Sequence, residues 1–524
     1  MKSIIKISLC ISALLLMNGY AFAQFSTTMS SMEKARETSL WFTGSANAAG
    51  MTIDQTVHGN EVAVAYDHSS GDFKRLFTGD SETKYAFVTQ GGSKVGGSYL
   101  WGGFGYGRIN RTGTLWNANL TDPYRETPYY MADPHLSDWK IDSYDLQMKI
   151  SFPFLFGDKL AFGASVDYLA ERGEKTIYPT ATNSFHTIDF KPGLVYRLSP
   201  SLFVGLSGEY FNLYEANTPN RGVLDEPVRQ MRGLGFSMLD VVANFTLQQT
   251  YMQKELWGGE LQLGAQHEKS RLLLAAGYRN GVDETILRHR NAMDQSSFFK
   301  ELLGALLSRE LYLKLNATLS AEQNIHLIKA EVNNAYRRGV EAVEVMGSKQ
   351  DGSSLGQYIA AYQSVRSTYN RLDFNASYDY FRGRSHNDYH WRAGAFLGYH
   401  SDKDDYIMPV GKQHWSGWDV GLNLKYNFTF NSGCNLLAGV NFLNHQNLGK
   451  EFVYEGPEAD PDVVNEFVIP DFAYRTASYN KIAGSVVYSI KMKKIGHFIA
   501  AEAGRISGND LSRTFFNIKI GLYF

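Results

Sequence analysis

The stretch WDVGLNLKYNFTF, residues 418–430, decides the fold. Trp418, Val420, Leu422, Leu424, Tyr426, Phe428 and Phe430 occupy every second position, and Asp419, Gly421, Asn423, Lys425, Asn427 and Thr429 fill the places between them. A period of two puts each set on its own face of a β-strand, whereas the 3.6-residue period of a helix would scatter both. An apolar face this long, backed by a polar one, suits a strand with lipid on one side and water on the other. Leu372–Tyr380 repeats the pattern, with Leu372, Phe374, Ala376, Tyr378 and Tyr380 on the apolar face. In the segment from His390 to His400 that face reads Trp391, Ala393, Ala395, Leu397 and Tyr399, aromatic at both ends. Amphipathic rings prefer the headgroup level, so one stripe marks both membrane interfaces. Its eight residues of rise span about 27 Å along the strand, or roughly 20 Å vertically after tilting.

Eighteen such segments are expected along the chain, near 61–66, 85–91, 98–108, 142–152, 159–168, 186–197, 202–211, 257–267, 271–279, 309–319, 324–336, 371–381, 390–400, 418–430, 435–445, 481–492, 495–505 and 514–524. The gaps alternate in length. Long ones at 109–141, 212–256, 280–308, 337–370 and 446–480 are separated by short ones such as 198–201, 268–270 and 493–494. Short periplasmic turns and long external loops give that alternation. The fold class expected is therefore all-β: a transmembrane antiparallel up-and-down β-barrel. Even counts from 14 to 18 strands are compatible, and 18 fits best.

The N-terminus reads as a secretory signal peptide over residues 1–23. Lys2 and Lys6 precede an apolar run from Ile7 to Met17, and Ala21-Phe22-Ala23 offers a small-x-small cleavage site. Cys10 lies inside the apolar run, which argues against lipidation. Beyond it no run reaches the ~18 apolar residues of a spanning helix. Cys434 is then the sole remaining cysteine, so neither an intramolecular disulfide nor a cysteine-based zinc site is expected. A net charge of −2 gives no basic excess for binding nucleic acid. Residues 24–60 form a separate N-terminal segment ahead of the barrel at 61–524. Ser31 to Phe42 is expected as a short helix capped by Ser30 or Ser31. The segment is a candidate lumen plug, with a periplasmic tail or an extra edge strand as the alternatives. It is too short to be the globular plug of a TonB-dependent transporter.

At the other end, Phe516, Ile518, Ile520, Leu522 and Phe524 share one face of the last strand, with Asn517 and Lys519 on the other. A terminal aromatic preceded by alternating apolar residues resembles the β-signal of outer-membrane proteins. That resemblance implies recognition by the barrel-assembly machinery. The mature chain as a whole resembles a Bacteroidota outer-membrane barrel family known as a domain of unknown function. The stretches carrying the resemblance are Glu37-Thr-Ser-Leu-Trp-Phe42, Asn47-Ala-Ala-Gly50 and Gln230-Met-Arg-Gly-Leu-Gly235. It implies no established activity, only a neighbourhood of surface nutrient acquisition.

Catalytic chemistry finds little support. Ser385-His386-Asn387 contains hydrolase residue types, but adjacent side chains in a tight turn diverge. No glycine-rich phosphate loop opens a helix. No enzyme activity and no cofactor are expected. His400, Asp402, Asp404, Asp405 and His414 are weak metal candidates if they gather in one external loop, where a solvated polar loop is the simpler reading. An external acidic run, Glu451, Glu455, Glu458, Asp460, Asp462 and Glu466, suits cations or a basic partner, and also suits a merely hydrated loop. Trp116, Tyr124, Tyr129, Tyr130 and Trp139 make the 109–141 loop aromatic, for packing over the mouth or for recognition. Phe298, Phe299, Leu302, Leu303 and Leu306 suggest an amphipathic helix in the 280–308 loop. Inward charges of mixed sign, among them Lys149, Asp189, Lys191, Glu260, Arg279, Lys314, Arg392 and Lys425, point to a crosslinked interior or a general polar channel.

The leading functional reading is a non-enzymatic channel or accessory of nutrient uptake, with metal or haem among its candidate cargoes. The alternatives are an interaction barrel with a blocked pore and a hydrophobic-solute conduit resembling fatty-acid transporters. Partners expected are outer-membrane lipid, the assembly machinery and a surface uptake receptor or lipoprotein.

Overall fold

The computed structural model describes residues 28–524 except 56–58, 121–128, 133, 178–179, 221–228, 233–238, 242–248, 291–297, 348–356, 386–387, 408–409, 431–432, 456–463 and 493–494. The signal-peptide reading over 1–23 lies outside the described residues, as do His386, Asn387, Glu458, Asp460, Asp462 and Tyr124.

The strands are β1 Glu61–Gly71, β2 Ser81–Val95, β3 Ser98–Thr114, β4 Tyr129–Ala132, β5 Ser137–Ser151, β6 Leu160–Lys175 and β7 Thr180–Ser199. They continue with β8 Leu202–Asn220, β9 Arg229–Arg232, β10 Leu239–Val241, β11 Gln249–Gln266, β12 Ser270–Arg290, β13 Phe298–Ala321 and β14 Asn324–Gly347. The last are β15 Gln357–Ser385, β16 Asp388–Ile407, β17 Val410–Thr429, β18 Cys434–Glu455, β19 Tyr479–Met492, β20 Ile495–Gly508 and β21 Leu511–Tyr523. Eighteen of them pair antiparallel in one sheet, and β4, β9 and β10 form a separate three-stranded sheet. The large sheet closes on itself because β1 pairs with both β2 and β21. Closure removes the unpaired edge that a bilayer would not tolerate. Each of the eighteen segments read from alternation matches one barrel strand, with five of them, 142–152, 159–168, 257–267, 418–430 and 514–524, running one residue past its end.

The outer face carries the alternation. Trp418, Val420, Leu422, Leu424, Tyr426 and Phe428 are all exposed, as are Leu311, Leu313, Ile482, Val486, Ile499 and Ile520. So wide an apolar band on the outside is explained by lipid. Aromatic contacts between neighbouring strands mark its rims, Tyr210 on Trp257 at 4.6 Å at one and Tyr380 on Trp391 at 5.1 Å at the other.

The strands run further than the alternation does, and here the sequence reading needs correction. β13 begins at Phe298, so the residues expected as an amphipathic helix are strand, and Leu306 is buried on the inner face. β15 has 29 residues and extends from Leu372 out to Gln357. Those fifteen residues add about 50 Å along the strand, roughly 35–40 Å of height. Above the bilayer nothing requires an apolar outer face. The period-two signal therefore fades while the hydrogen-bonded ladder continues.

The N-terminal segment forms helix α1 Met29–Thr38, helix α2 Leu40–Gly44, a 3₁₀ turn Ala48–Gly50 and helix α3 Met51–Asp54. The single helix expected from Ser31 to Phe42 is broken at Ser39. The cap is Thr28, whose hydroxyl accepts from the Ser31 N–H while the Ser31 hydroxyl donates back to the Thr28 carbonyl. At the opposite end of the barrel, helix α4 Ile469–Arg475 lies between β18 and β19.

Candidate functional site

The inner surface of the wall is where polar side chains converge, and the N-terminal segment lies against it at the short-turn end. Asn47 is fully buried. Its amide nitrogen donates to the Leu194 carbonyl at 2.8 Å and to Gln262 Oε1 at 3.0 Å, while its Oδ1 accepts from the Ala49 N–H. Glycines make room for this approach. A Cβ at Gly193 would collide with the Asn47 amide, and one at Gly264 would stand 2.7 Å from the Trp41 ring. Both glycines fall on the inward parity of their strands. Trp41 and Leu40 join a buried cluster with Val195, Phe203, Leu273, Leu327 and Leu437 from five strands. The stretches Leu40-Trp41-Phe42 and Asn47-Ala48-Ala49-Gly50, conspicuous in the sequence without a chemical reason, are thus the parts that fit the glycine-lined wall.

Helix α1 is held by polar contacts: the Ser30 hydroxyl donates to Asp388 Oδ1 at 2.7 Å, Lys34 donates to the Asp388 carbonyl at 3.2 Å, and two glutamates pair with the wall. Glu33 Oε1 accepts from Arg392 and Lys425, both at 2.8 Å, and Glu37 accepts from Lys329 at 2.9 Å. Burial pushes the Glu37 carboxyl up, but Lys329, Arg392 and Lys425 outweigh it and hold it below the usual glutamate range. Asp54 behaves oppositely. Burial raises it to about 6, although the N–H groups of Phe42 and Trp41 donate to its Oδ2 at 3.0 and 2.9 Å.

Farther along the lumen the mixed charges are paired across strands, as crosslinking requires. Glu209 takes Arg279 at 2.7 Å and Lys191 at 3.6 Å, and Arg279 also reaches Glu310 at 3.3 Å. Lys314 faces Glu331 at 3.5 Å.

Toward the outer end, His400, Asp419 and His445 bring three potential ligand atoms within 4.8 Å of one another. His445 Nδ1 lies 2.8 Å from Asp419 Oδ1, and His400 Nδ1 lies 3.9 Å from Oδ2 of the same carboxylate. The imidazoles stack at 5.0 Å with 8° between their planes. Above them Met252, Leu306, Tyr369 and Tyr406 from the wall meet Trp116, Phe467 and Val468 from the loops in one buried cluster. Arg475 of α4 anchors this cover to Asp404 at 3.2 Å and Gln413 at 3.3 Å, and Arg75 reaches Asp471 at 2.6 Å.

The five metal candidates do not gather, and they lie in β16 and β17 rather than in a loop. Asp402 is paired with Arg371, and Asp404 with Arg475. His414 is held between Asp405 and Glu451, at 2.9 and 3.3 Å on opposite ring nitrogens. Only His400 belongs to the cluster that does form. Its partners escaped notice because they sit on two other strands, with a register shift between Ser416 and Gly417. Of the acidic run, Glu451 and Glu455 lie on β18 and Glu466 in the π-helical turn Val464–Val468. Trp116 and Trp139 are buried, which favours packing for this loop. Tyr129 and Tyr130 lie in β4, and Gln230 in β9 beside it. Phe516, Ile520 and Leu522 face outward on the closing strand, and Phe524 just beyond it pairs through its backbone with Asn60.

A family model matches residues 48–524. The chain belongs to that family, a family of unknown function (DUF6850). The match agrees with the resemblance read from the sequence, and it begins inside the Asn47–Gly50 stretch that seats the N-terminal segment. No curated protein matches the chain. Among solved structures, the chain is similar to the copper transporter OprC, with a TM-score of 0.40 and 9% identity over 89% of this chain and 80% of that one. It is also similar to BauA, the ferric preacinetobactin receptor from Acinetobacter baumannii, at 0.38 and 8% over 88% and 80%. A FadL homologue from Pseudomonas aeruginosa gives 0.33 and 9% over 96% and 99%. These likenesses concern the barrel alone.

Proposed function

We propose that this protein is a non-enzymatic outer-membrane barrel that admits a small solute from the cell exterior, with the N-terminal segment as its gate. The observation that carries the reading is the two-part attachment of that segment. Leu40–Asp54 is seated by buried apolar contacts and glycine-made space, the kind of contact that persists. Helix α1 is held to the same wall by Glu33 and Glu37 on Arg392, Lys425 and Lys329, and by hydrogen bonds of Ser30 and Lys34 to Asp388 at its first turns. Partly exposed ion pairs are worth little individually and are screened by salt. Such pairs suit a latch that releases, while the seated part keeps it tethered. In this reading the paired lumen charges line the passage and the outer apolar layer is a second closure. Export through the Sec route and insertion by the assembly machinery, reading the strand that ends in Leu522 and Phe524, complete it.

Planar-bilayer conductance of the purified barrel tests the gate. The wild type should be closed, and removal of residues 24–39, or Glu33→Gln with Glu37→Gln, should produce discrete open steps. If no variant conducts, including one that also lacks residues 464–477, the uptake reading falls. An interaction barrel then takes its place, a reading favoured by strands that stand far above the bilayer and by the external sheet of β4, β9 and β10. A partner retained stoichiometrically from solubilised membranes would support it.

A further inference from the structure

The His400–Asp419–His445 cluster stands apart from the gate and has no part in the crosslinking of the lumen. Its geometry is specific. Asp419 on β17 is the direct cross-strand partner of His445 on β18, and His400 on β16 sits opposite Gly417. The register shift between Ser416 and Gly417 sets which β18 residue Asp419 meets. Bulges commonly re-aim a side chain in this way. Gly417 matters through its missing Cβ, which would stand 2.7 Å from His400 Nε2. Without it, the His400 ring leans across β17 and stacks on His445. Each ring is then fixed from its far side, His445 by Tyr479 at 4.7 Å and His400 by Trp415 at 4.6 Å.

Three facts give this arrangement a chemistry. Two imidazoles and a carboxylate are a donor set of borderline softness, matched to divalent first-row transition ions rather than to calcium or magnesium. Asp419 has only the two histidines as ion-pair partners among the described residues, so no lysine or arginine in contact with it competes with a cation for its oxygens. His400 Nε2 is buried and makes no hydrogen bond, so hydrogen bonding does not exhaust the ring's capacity. The side chains of His400 and Asp419 retain 15% and 21% of their exposure, enough for an ion to reach them. Tetrahedral donors bound at about 2.0–2.2 Å lie about 3.3–3.6 Å apart, so closure from within 4.8 Å needs a shift of up to about 1.5 Å and a turn of the two stacked rings away from parallel.

We propose that His400, Asp419 and His445 form a binding site for one divalent transition-metal ion, with coordination positions left open for water or a carried ligand. This goes beyond the gated-uptake reading and deepens it only in naming a cation as cargo or resident ion. It is tested on the purified protein, whether or not the barrel conducts.

The probe is Co(II), added to chelator-stripped barrel in detergent. One equivalent should bind and develop the visible d–d absorption of nitrogen-containing coordination, and Zn(II) should displace it. His445→Gln, which keeps a polar side chain, and Asp419→Asn should each weaken binding at least tenfold. His414→Gln, at the pair whose two carboxylates lie on opposite ring nitrogens, should leave it unchanged. Heat-shifted electrophoretic mobility verifies that each variant is a folded barrel. Absence of stoichiometric binding by the wild type, or equal binding by folded His445→Gln and Asp419→Asn, overturns the proposal. Conductance in the gate variants with no Co(II) bound would sink the metal site alone. Co(II) binding to a barrel that never conducts would sink the uptake reading alone.

Discussion

Asn47 of the N-terminal segment and Leu194 of β7 are joined by a hydrogen bond of 2.8 Å from the side-chain amide to the backbone carbonyl, with Gly193 beside it leaving the space. The amide is fully buried, so its partners have no water to replace it. Asn47→Ala should weaken seating by about 1–3 kcal/mol through the acceptors it abandons. Gly264→Leu, which drives a side chain into Trp41, should cost a comparable amount by overpacking. Trypsin cleavage after Arg36 or Lys34 reads the seating. Both variants should be cut several-fold faster while the barrel core stays resistant, and unchanged cleavage would show that the segment is held by something else.

The acidity of Asp54 gives the same contact a pH dependence. Its folded-state value of about 6 lies roughly two units above the ordinary 3.8. A carboxyl raised by burial favours the seated state when protonated, so seating should strengthen as pH falls from 7.5 through 6 toward 4. The maximal effect is on the order of 3 kcal/mol. Glu37 acts with the opposite sign. Held below its usual value by basic neighbours, it loses its contribution only below about pH 4.5. The window between 4.5 and 7 therefore belongs to Asp54. The hydrogen-exchange protection of residues 40–54, taken relative to the intrinsic rate at each pH, should rise at pH 5 relative to pH 7.5 in the wild type and be flat in Asp54→Asn. A flat wild type removes the argument.

What the sequence made legible and what it hid divide at the bilayer. Trp418–Phe430 and Leu372–Tyr380 announce strands because lipid forces every second residue to be apolar. The upper parts of β13 and β15 face water on the outside, so Phe298 to Leu306 reads as a helix although its backbone stays in the ladder. The interior is hidden for another reason. Alternation tells which face His400 occupies but not its register against β17 and β18, and a one-residue slip changes the neighbour. Asp419 and His445 could not be joined to it from spacing alone. The seat of the N-terminal segment did leave a signal, inward-facing glycines at 193, 205 and 264, where a strand would normally carry a larger residue.

The outer cover depends on Arg475, whose guanidinium joins α4 to Asp404 and to Gln413 on the wall. Arg475→Met keeps much of the apolar stem and removes the charge. Breaking a buried ion pair from one side typically costs about 3–5 kcal/mol, more than a seven-residue helix over a mouth can absorb in place. A cysteine at Phe472, buried against Phe452, reports the result in a Cys434→Ser background. Maleimide labelling should accelerate more than tenfold with Arg475→Met. Equal rates would mean that the Arg75–Asp471 pair and the Trp116–Phe467 contact hold the cover without Arg475.

The closing strand offers a test of depth. Phe516 lies at one aromatic rim, 5.9 Å from Tyr66, and Ile520 lies four residues farther along the same lipid-facing stripe. A charge near the bilayer middle costs about 2–4 kcal/mol, falling to about 0–1 near the interface. Ile520→Arg should therefore destabilise the barrel in lipid vesicles far more than Phe516→Arg, although both replace an exposed apolar residue. Lys519 separates address from wall. It faces inward, paired with the buried Glu61 of β1, so Lys519→Met should disturb the β1–β21 seam without any dependence on lipid thickness. Urea unfolding in thin- and thick-chain lipids distinguishes the three. If Ile520→Arg and Phe516→Arg cost the same, the apolar band does not register with the bilayer at this strand.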